Sequence, residues 1–261
     1  MFFGLIRLFS VGIALFFMLP LAIVISVSFT SGYFISFPPD GFSLKWYKEV
    51  LLDYEWMNSL RNSLQIAVGT ALLSTSMGGV LAFVLYRYNI SSKLAGAVKG
   101  LGLLPILLPP VTFGVALMTF FYLTGLAGQL ISVIIAHSIF FLPFPLILIS
   151  AGLAEIDKSV EEAALTLGAT KGKTFRTVTL PLIRSNLFAA MLFSFVLSLN
   201  EFIVAFLIAG LTITTMPIKI FTSLRYALSP EIAAISTLFI IVTIASVLII
   251  NRLTGGLWKA I

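Results

Sequence analysis

The sequence contains no cysteine. Disulfide frameworks, thiolate metal sites and cysteine nucleophiles are therefore excluded. A single histidine, His137, leaves no multi-histidine metal site. Charged residues make up 10% of the 261 positions, against roughly 25% in soluble domains. No paired aspartates, metal-ligand set or Ser–His arrangement suited to an intramembrane enzyme occurs along the chain. What fills the space is apolar: 59% of residues are hydrophobic and the mean hydropathy is +1.12. A soluble protein of this length would be left with large exposed apolar patches. A lipid bilayer is the solvent that fits.

Runs of about 20 apolar residues are long enough to cross the hydrocarbon core as helices. Six occur, near 6–28, 62–86, 101–122, 129–152, 185–209 and 234–254. Lipid cannot satisfy a free backbone, so runs apolar on all sides read as helices rather than strands. The fold class is therefore all-α: a polytopic membrane protein with six transmembrane helices in one domain over 1–261. Arg7 precedes a run longer than the 7–15 residues of a signal core, and no small-x-small cleavage site follows. The first run is expected to be a retained span.

The formal net charge of +6 orients the chain rather than marking a nucleic-acid partner. With the N-terminus inside, eleven of the 16 Lys and Arg residues, from Arg7 to Lys259, fall on the cytoplasmic side. Lys45, Lys48, Arg61, Lys219 and Arg225 fall outside. That is the bias of the positive-inside rule, and it places both termini in the cytoplasm. Trp46, Trp56 and Trp258 lie near span ends, where they are expected to anchor at the interface. The longest outer segment, about 31–60, contains the turn signal Phe37-Pro38-Pro39-Asp40-Gly41. Ser43 is expected to cap a short helix with Trp46 and Val50 on one face and Tyr47 and Leu51 on another, lying on the outer membrane surface.

The polar inner loop 153–184 carries the most specific pattern. Ser159-Val160-Glu161-Glu162 fits a capping box, with Ser159 at the helix start and Glu162 reaching back. Gly168 then offers a stop, and a second helical piece starts near Thr170. Gly168-Ala169-Thr170-Lys171-Gly172-Lys173-Thr174 imitates a phosphate-binding loop, but it is one residue short and no strand precedes it. ATP binding by this chain is not expected.

Glu162-Ala163-Ala164, three residues, Gly168, nine residues, Val178, one residue, then Leu180-Pro181 resembles the EAA motif of ABC importer permeases at every spacing. The resemblance extends to the six-span layout and implies a type I importer permease. In that family this loop forms coupling helices that dock in a groove of the ATPase. Carried over, Glu162, Ala163, Ala164, Gly168, Leu180 and Pro181 belong to the coupling segment. The resemblance implies two ATP-binding cassette ATPase subunits inside, a second permease chain forming a heterodimer, and an extracytoplasmic solute-binding protein. It also implies a bacterial inner membrane. The chain itself would bind no cofactor; the partner ATPase would use ATP.

Glu201, in Ser198-Leu199-Asn200-Glu201-Phe202, is the one acidic residue deep inside a span. Its position along the fifth helix is past the midplane, towards the outer half. An ionisable group there costs about 2.5–3.5 kcal/mol on insertion scales and is a functional candidate by default. The alternative is that Glu201 pairs with a polar neighbour and fixes helix packing. If it lines the pathway with Asn200 and Ser198, its charge favours a cation. The chain near Glu201, with Met216-Pro217-Ile218-Lys219-Ile220-Phe221 and Ser229-Pro230-Glu231-Ile232, is similar to the spermidine/putrescine branch of these permeases. Pro105, Pro109 and Pro110, and Pro143 and Pro145, are expected to kink the third and fourth spans. Gly78, Gly79, Gly96 and Gly100 permit close helix approach. His137 reads as a packed interior residue.

Two other classes remain in view. A gradient-driven transporter would show inverted repeats and more intramembrane ionisable groups. A membrane scaffold would move no solute at all.

Overall fold

The computed structural model describes residues 2–88, 90–210, 212–226 and 229–253. Every regular element among them is helical: α1 (Phe2–Val27), α2 (Lys45–Leu52), α3 (Tyr54–Arg87), α4 (Ser92–Leu103), α5 (Pro110–Leu123), α6 (Leu130–Phe140), α7 (Pro143–Glu155), α8 (Lys158–Thr166), α9 (Lys171–Thr174), α10 (Leu180–Leu182), α11 (Arg184–Asn200), α12 (Ile203–Ala209), α13 (Met216–Leu224) and α14 (Pro230–Leu253). A 3₁₀ turn spans Leu104–Leu107 and a π turn spans Phe175–Thr179. Trp258 and Lys259, read from sequence as an anchor and an inner charge, lie outside the described residues.

Three helices are long and apolar enough to cross a membrane unbroken: Ile6–Val27, Tyr54–Arg87 and Pro230–Ile249. Three bent pairs have the same length and apolar character when each is taken together, Ser92–Leu107 with Pro110–Leu123 at 108°, Leu130–Phe140 with Pro143–Glu155 at 48°, and Lys171–Leu182 with Arg184–Asn200 at 68°. Three of the six expected spans are thus present as unbroken helices, and the number reaches six when each bent pair counts as one span.

Each break has a local cause. Leu108 and Pro109 both precede a proline and both sit in extended backbone, with ψ of 137° and 135°. The ring of a following proline excludes helical backbone there, so two in succession turn the chain instead of kinking it. Pro110 and Pro143 then occupy the first turns of α5 and α7, where a missing N–H costs nothing. Pro181 gives a milder result. It lacks an N–H and crowds the carbonyl four residues back. The chain answers with the wider π turn, in which the Leu180 N–H reaches back to the Phe175 carbonyl.

α3 begins eight residues before the apolar run that announces it. The extension is polar, Tyr54-Glu55-Trp56-Met57-Asn58-Ser59-Leu60-Arg61, and Asp53 starts it by accepting the Trp56 N–H at 2.9 Å. Hydropathy cannot see such a segment.

The contacts fall into two compact units. The first comprises Met1–Leu60 and Ile218–Ile244. In it, Trp46 and Val50 form the buried face of α2, as expected. Ser43 is not the cap; Leu44 holds that position, and the Ser43 hydroxyl accepts the Lys45 N–H instead. The two described tryptophans are not interfacial anchors. Trp46 is 7% and Trp56 3% exposed, and the Trp56 indole donates to Glu231 at 2.5 Å. Lys219 pairs with Glu55 and stands 5.4 Å from the Trp56 ring centre.

The second unit comprises Arg61–Pro217 and Ala245–Ile261. Its inner core joins Ala82, Leu146, Ile149, Leu153, Ile183 and Ala190, with α7 packed on α11 and α12 packed on α5 and α6. Lipid is as apolar as leucine, so association rests on close packing. Gly78 shows how close: an added Cβ would stand 2.6 Å from the Pro145 side chain and 2.8 Å from the Leu146 backbone nitrogen. Gly96 and Gly100 do not share this role, since nothing lies within 4 Å of their Cβ positions.

Candidate functional site

Two polar assemblies interrupt the apolar second unit. The first is built on the polar loop 153–184. Asp157 stands in extended backbone and caps α8, its carboxylate accepting the Ser159 N–H at 2.9 Å. That hydrogen bond to the charged form holds the Asp157 carboxyl below the usual aspartate range. The helix therefore starts two residues earlier than the capping box from Ser159 to Glu162 required, and that expectation is corrected. Asp and Ser are both good caps; the extended Ile156 and Asp157 backbone decides for Asp157.

α8 ends as the sequence implied. Gly168 adopts φ +86°, and the Ala169 N–H returns to the Ala164 carbonyl at 3.1 Å, a left-handed helix stop. Thr170 then caps α9 by accepting the Lys173 N–H. The imitation of a phosphate loop is thus a helix stop followed by a helix start. On this knob Glu162, Ala163, Gly168, Leu180 and Pro181 are exposed and Ala164 is half-buried. Val160, Leu165 and Leu167 add an apolar edge, with Leu167 89% exposed.

The other side of α8 is tied down. Adjacent helical residues diverge by about 100°, so Glu161 points inward where Glu162 points out. The Arg87 Nε lies 2.8 Å from one Glu161 carboxylate oxygen and donates to the other at 3.0 Å. Its Nη2 donates to the Leu153 carbonyl at 3.1 Å. The Thr179 hydroxyl donates to Glu161 at 2.6 Å. Phe83 meets Phe175 edge to face at 4.9 Å beside them. A cavity of about 1050 Å³ opens next to this junction, with Gly79, Phe83, Arg87, Phe175, Ile183 and Met191 among its walls. Sequence reasoning treated Arg87 only as an orienting charge and passed over Glu161. No local signal links them, because they are 74 residues apart.

The second assembly surrounds Glu201. The sequence placed this residue inside a continuous helix; the structure corrects that. α11 ends at Asn200, Glu201 is extended with ψ 130°, and α12 starts at Ile203. The Glu201 carboxylate accepts the Val204 N–H at 2.8 Å and the Ala205 N–H at 2.9 Å. It thus satisfies two donors of the first turn of α12, which lipid could not. His137 Nε2 lies 3.2 Å from the same carboxylate, outside hydrogen-bond alignment. His137 Nδ1 is 2.8 Å from the Ser198 hydroxyl. His137 is 1% exposed, the packed interior residue that was expected.

The three candidate pathway residues therefore differ. Ser198 is buried and committed to His137. Asn200 is exposed, with its amide donating to the Val196 carbonyl at 2.8 Å. The Glu201 side chain is 9% exposed and largely satisfied from within.

Comparison with known proteins gives a consistent result. The family model described as binding-protein-dependent transport system inner membrane component matches residues 56–256. The spermidine/putrescine transport system permease protein PotC of Haemophilus influenzae is 30% identical over 237 residues, covering 90% of this chain and 91% of that protein. The putrescine transport system permease protein PotI of Escherichia coli is 32% identical over 230 residues, covering 85% and 80%. Among solved structures, a chain of a bacterial ABC transporter involved in the import of the acidic polysaccharide alginate superposes with a TM-score of 0.76 at 16% identity, covering 97% of this chain and 95% of that one.

Proposed function

Since the chain belongs to the family of binding-protein-dependent transport system inner membrane components and is the permease subunit of an ABC importer, we propose that the solute it passes is a polyamine of the spermidine/putrescine type. It spans the membrane and is not itself an enzyme. The observation that carries the substrate class is the pair of polyamine permeases at 30% and 32% identity over most of the chain. The acid at the α11–α12 break is in keeping with a cationic solute.

The roles within the site follow from chemistry. Glu201 is shielded, with a side chain 9% exposed and each oxygen accepting one backbone N–H, so it acts on a passing cation through its field. Asn200, exposed at the same break, offers a side-chain carbonyl to an ammonium group. Ser198 acts through His137, which it orients.

Outside the pathway, Glu162, Ala163, Ala164 and Gly168, with the apolar edge of Leu165 and Leu167, form the surface offered to an ATPase subunit. Leu180 and Pro181 close the segment against the membrane. Two ATPase subunits bind and hydrolyse ATP, a different permease chain completes the pathway, and an extracytoplasmic binding protein delivers solute. Both termini face the cytoplasm. Transport is then a change in the relative stability of two conformations set by those partners.

The test is uptake of labelled putrescine into proteoliposomes holding the full complex. ATP-dependent uptake that competes with spermidine but not with neutral sugars supports the substrate class; uptake of another solute class with no polyamine competition overturns it. The docking surface is tested separately. The chain has no cysteine, so Ala163→Cys gives a single reactive site, and failure to cross-link an ATPase subunit in native membranes removes the docking role.

A further inference from the structure

The junction of Arg87, Glu161 and Thr179 is left without a task by the transport cycle as described. We propose that Arg87 is a positioning residue that transmits displacement of α8 to α3, through Glu161, as the mechanical link between the docking knob and the membrane helices. The inference rests on the reading of α8 as the docking surface.

Four observations carry it. Arg87 is the last residue of α3, a 34-residue helix, so a force applied there acts on the whole rod. The paired side chains are 9% and 15% exposed, shielded enough that solvent does not substitute for either partner. The Glu161 carboxylate joins three elements at once, α8 itself, α3 through Arg87, and the π turn through Thr179. The guanidinium adds a fourth by donating to the Leu153 carbonyl near the end of α7. A planar fork holds a carboxylate and a carbonyl in one fixed geometry, which a freely rotating ammonium group does not impose.

The geometry divides the two neighbouring glutamates. Glu162 is exposed on the side offered to a partner, and Glu161 faces the protein. When a partner shifts α8, either Glu161 leaves Arg87 behind or it takes Arg87 along. Separation strands a shielded charge without its counter-ion, which is the costly outcome. Joint movement keeps every contact. The π turn next to Pro181 supplies the compliance, since its widened hydrogen bonding is an irregular stretch in an otherwise regular backbone.

The experiment compares ATP hydrolysis with putrescine uptake in proteoliposomes of the whole complex. Arg87→Glu is expected to lower uptake per ATP hydrolysed by about tenfold, in the range of ordinary coupling energies, with assembly by size-exclusion unchanged. Glu161→Arg is expected to do the same, and the double charge reversal to recover most of the ratio. Thr179→Val, which removes one hydrogen bond but keeps the shape, should fall between. A normal ratio in Arg87→Glu, or no recovery in the double variant, overturns the link. If Arg87→Glu does not assemble, Arg87→Lys replaces it, with about a fivefold loss of the ratio expected and an unchanged ratio overturning the link. The wild-type complex separates the two ideas: if it hydrolyses no ATP on α8-mediated assembly, the docking reading fails. If it couples normally and the variants do too, only the link fails.

Discussion

His137 and Glu201 meet at 3.2 Å across the break between α11 and α12, and the carboxylate of this pair also closes the first turn of α12. An intramembrane acid is usually read as a ligand for the cargo. Here each of its oxygens accepts a backbone N–H of the protein's own chain.

That assignment predicts an order of stability. Glu201→Ala leaves two N–H groups unsatisfied and should cost about 1–3 kcal/mol. Glu201→Gln keeps one acceptor oxygen and should cost less. Thermal unfolding of the purified complex should rank wild type above Glu201→Gln above Glu201→Ala. Equal midpoints for the two variants would show that the backbone bonds contribute nothing.

Gly168 predicts a purely conformational effect. Nothing lies within 4 Å of its Cβ position, so a side chain meets no obstacle, but φ is +86°. A β-branched residue there is strained by about 1–2 kcal/mol, whereas asparagine visits this region with a local hydrogen bond. Gly168→Val should uncouple ATP hydrolysis from uptake while membrane insertion is normal, and Gly168→Asn should stay close to wild type. Parallel hydrolysis and uptake assays read the difference; equal behaviour of the two variants would place the effect elsewhere.

Gly78 and Gly79 form an internal control for helix packing. Alanine at 78 would collide with the Pro145 side chain and the Leu146 backbone, whereas at 79 its nearest contact is the Ile149 Cδ1 at 3.5 Å. Overpacking against backbone costs about 1–3 kcal/mol. Gly78→Ala should lower the unfolding midpoint clearly, and Gly79→Ala should leave it unchanged or slightly raised.

Asp157 predicts a pH effect confined to the knob. Its carboxyl is held below the ordinary range by the Ser159 N–H. A depressed folded-state value means that the cap stabilises α8 above the unfolded-state range. That support is lost as the pH falls through the lowered value. Limited proteolysis of 157–170 should accelerate on acidification in the wild type. Asp157→Asn, which caps without titrating, should show no such acceleration.

The parts legible in the sequence were those with local causes. Long apolar runs announced the helices long enough to cross a membrane, and the helix stop at Gly168 was visible because a left-handed residue needs glycine. The prolines at 109 and 110 marked a disturbance, but not its 108° size, which follows from two consecutive pre-proline residues. Polar residues hid the first turns of α3, since a helix that leaves the apolar run carries no hydropathy signal. The Glu201 break was hidden because no proline marks it, only a carboxylate that satisfies N–H groups three and four residues on. Arg87 and Glu161 were the least visible, being joined by the fold alone. The tryptophans misled for a related reason: an amphipathic ring suits a lipid interface and a protein interior equally well.

The turns made at 108–109, 141–142 and 201–202 occupy two residues each. Elsewhere in proteins, connecting segments are where length drifts between relatives, because an extra residue on the surface disturbs little. A bend completed within a crossing has no slack of that kind. One added residue there would rotate everything after it by about 100° and present a different face to its neighbours. A one-residue insertion at any of these three bends would therefore disturb far more packing than one in the connections 124–129 or 156–157.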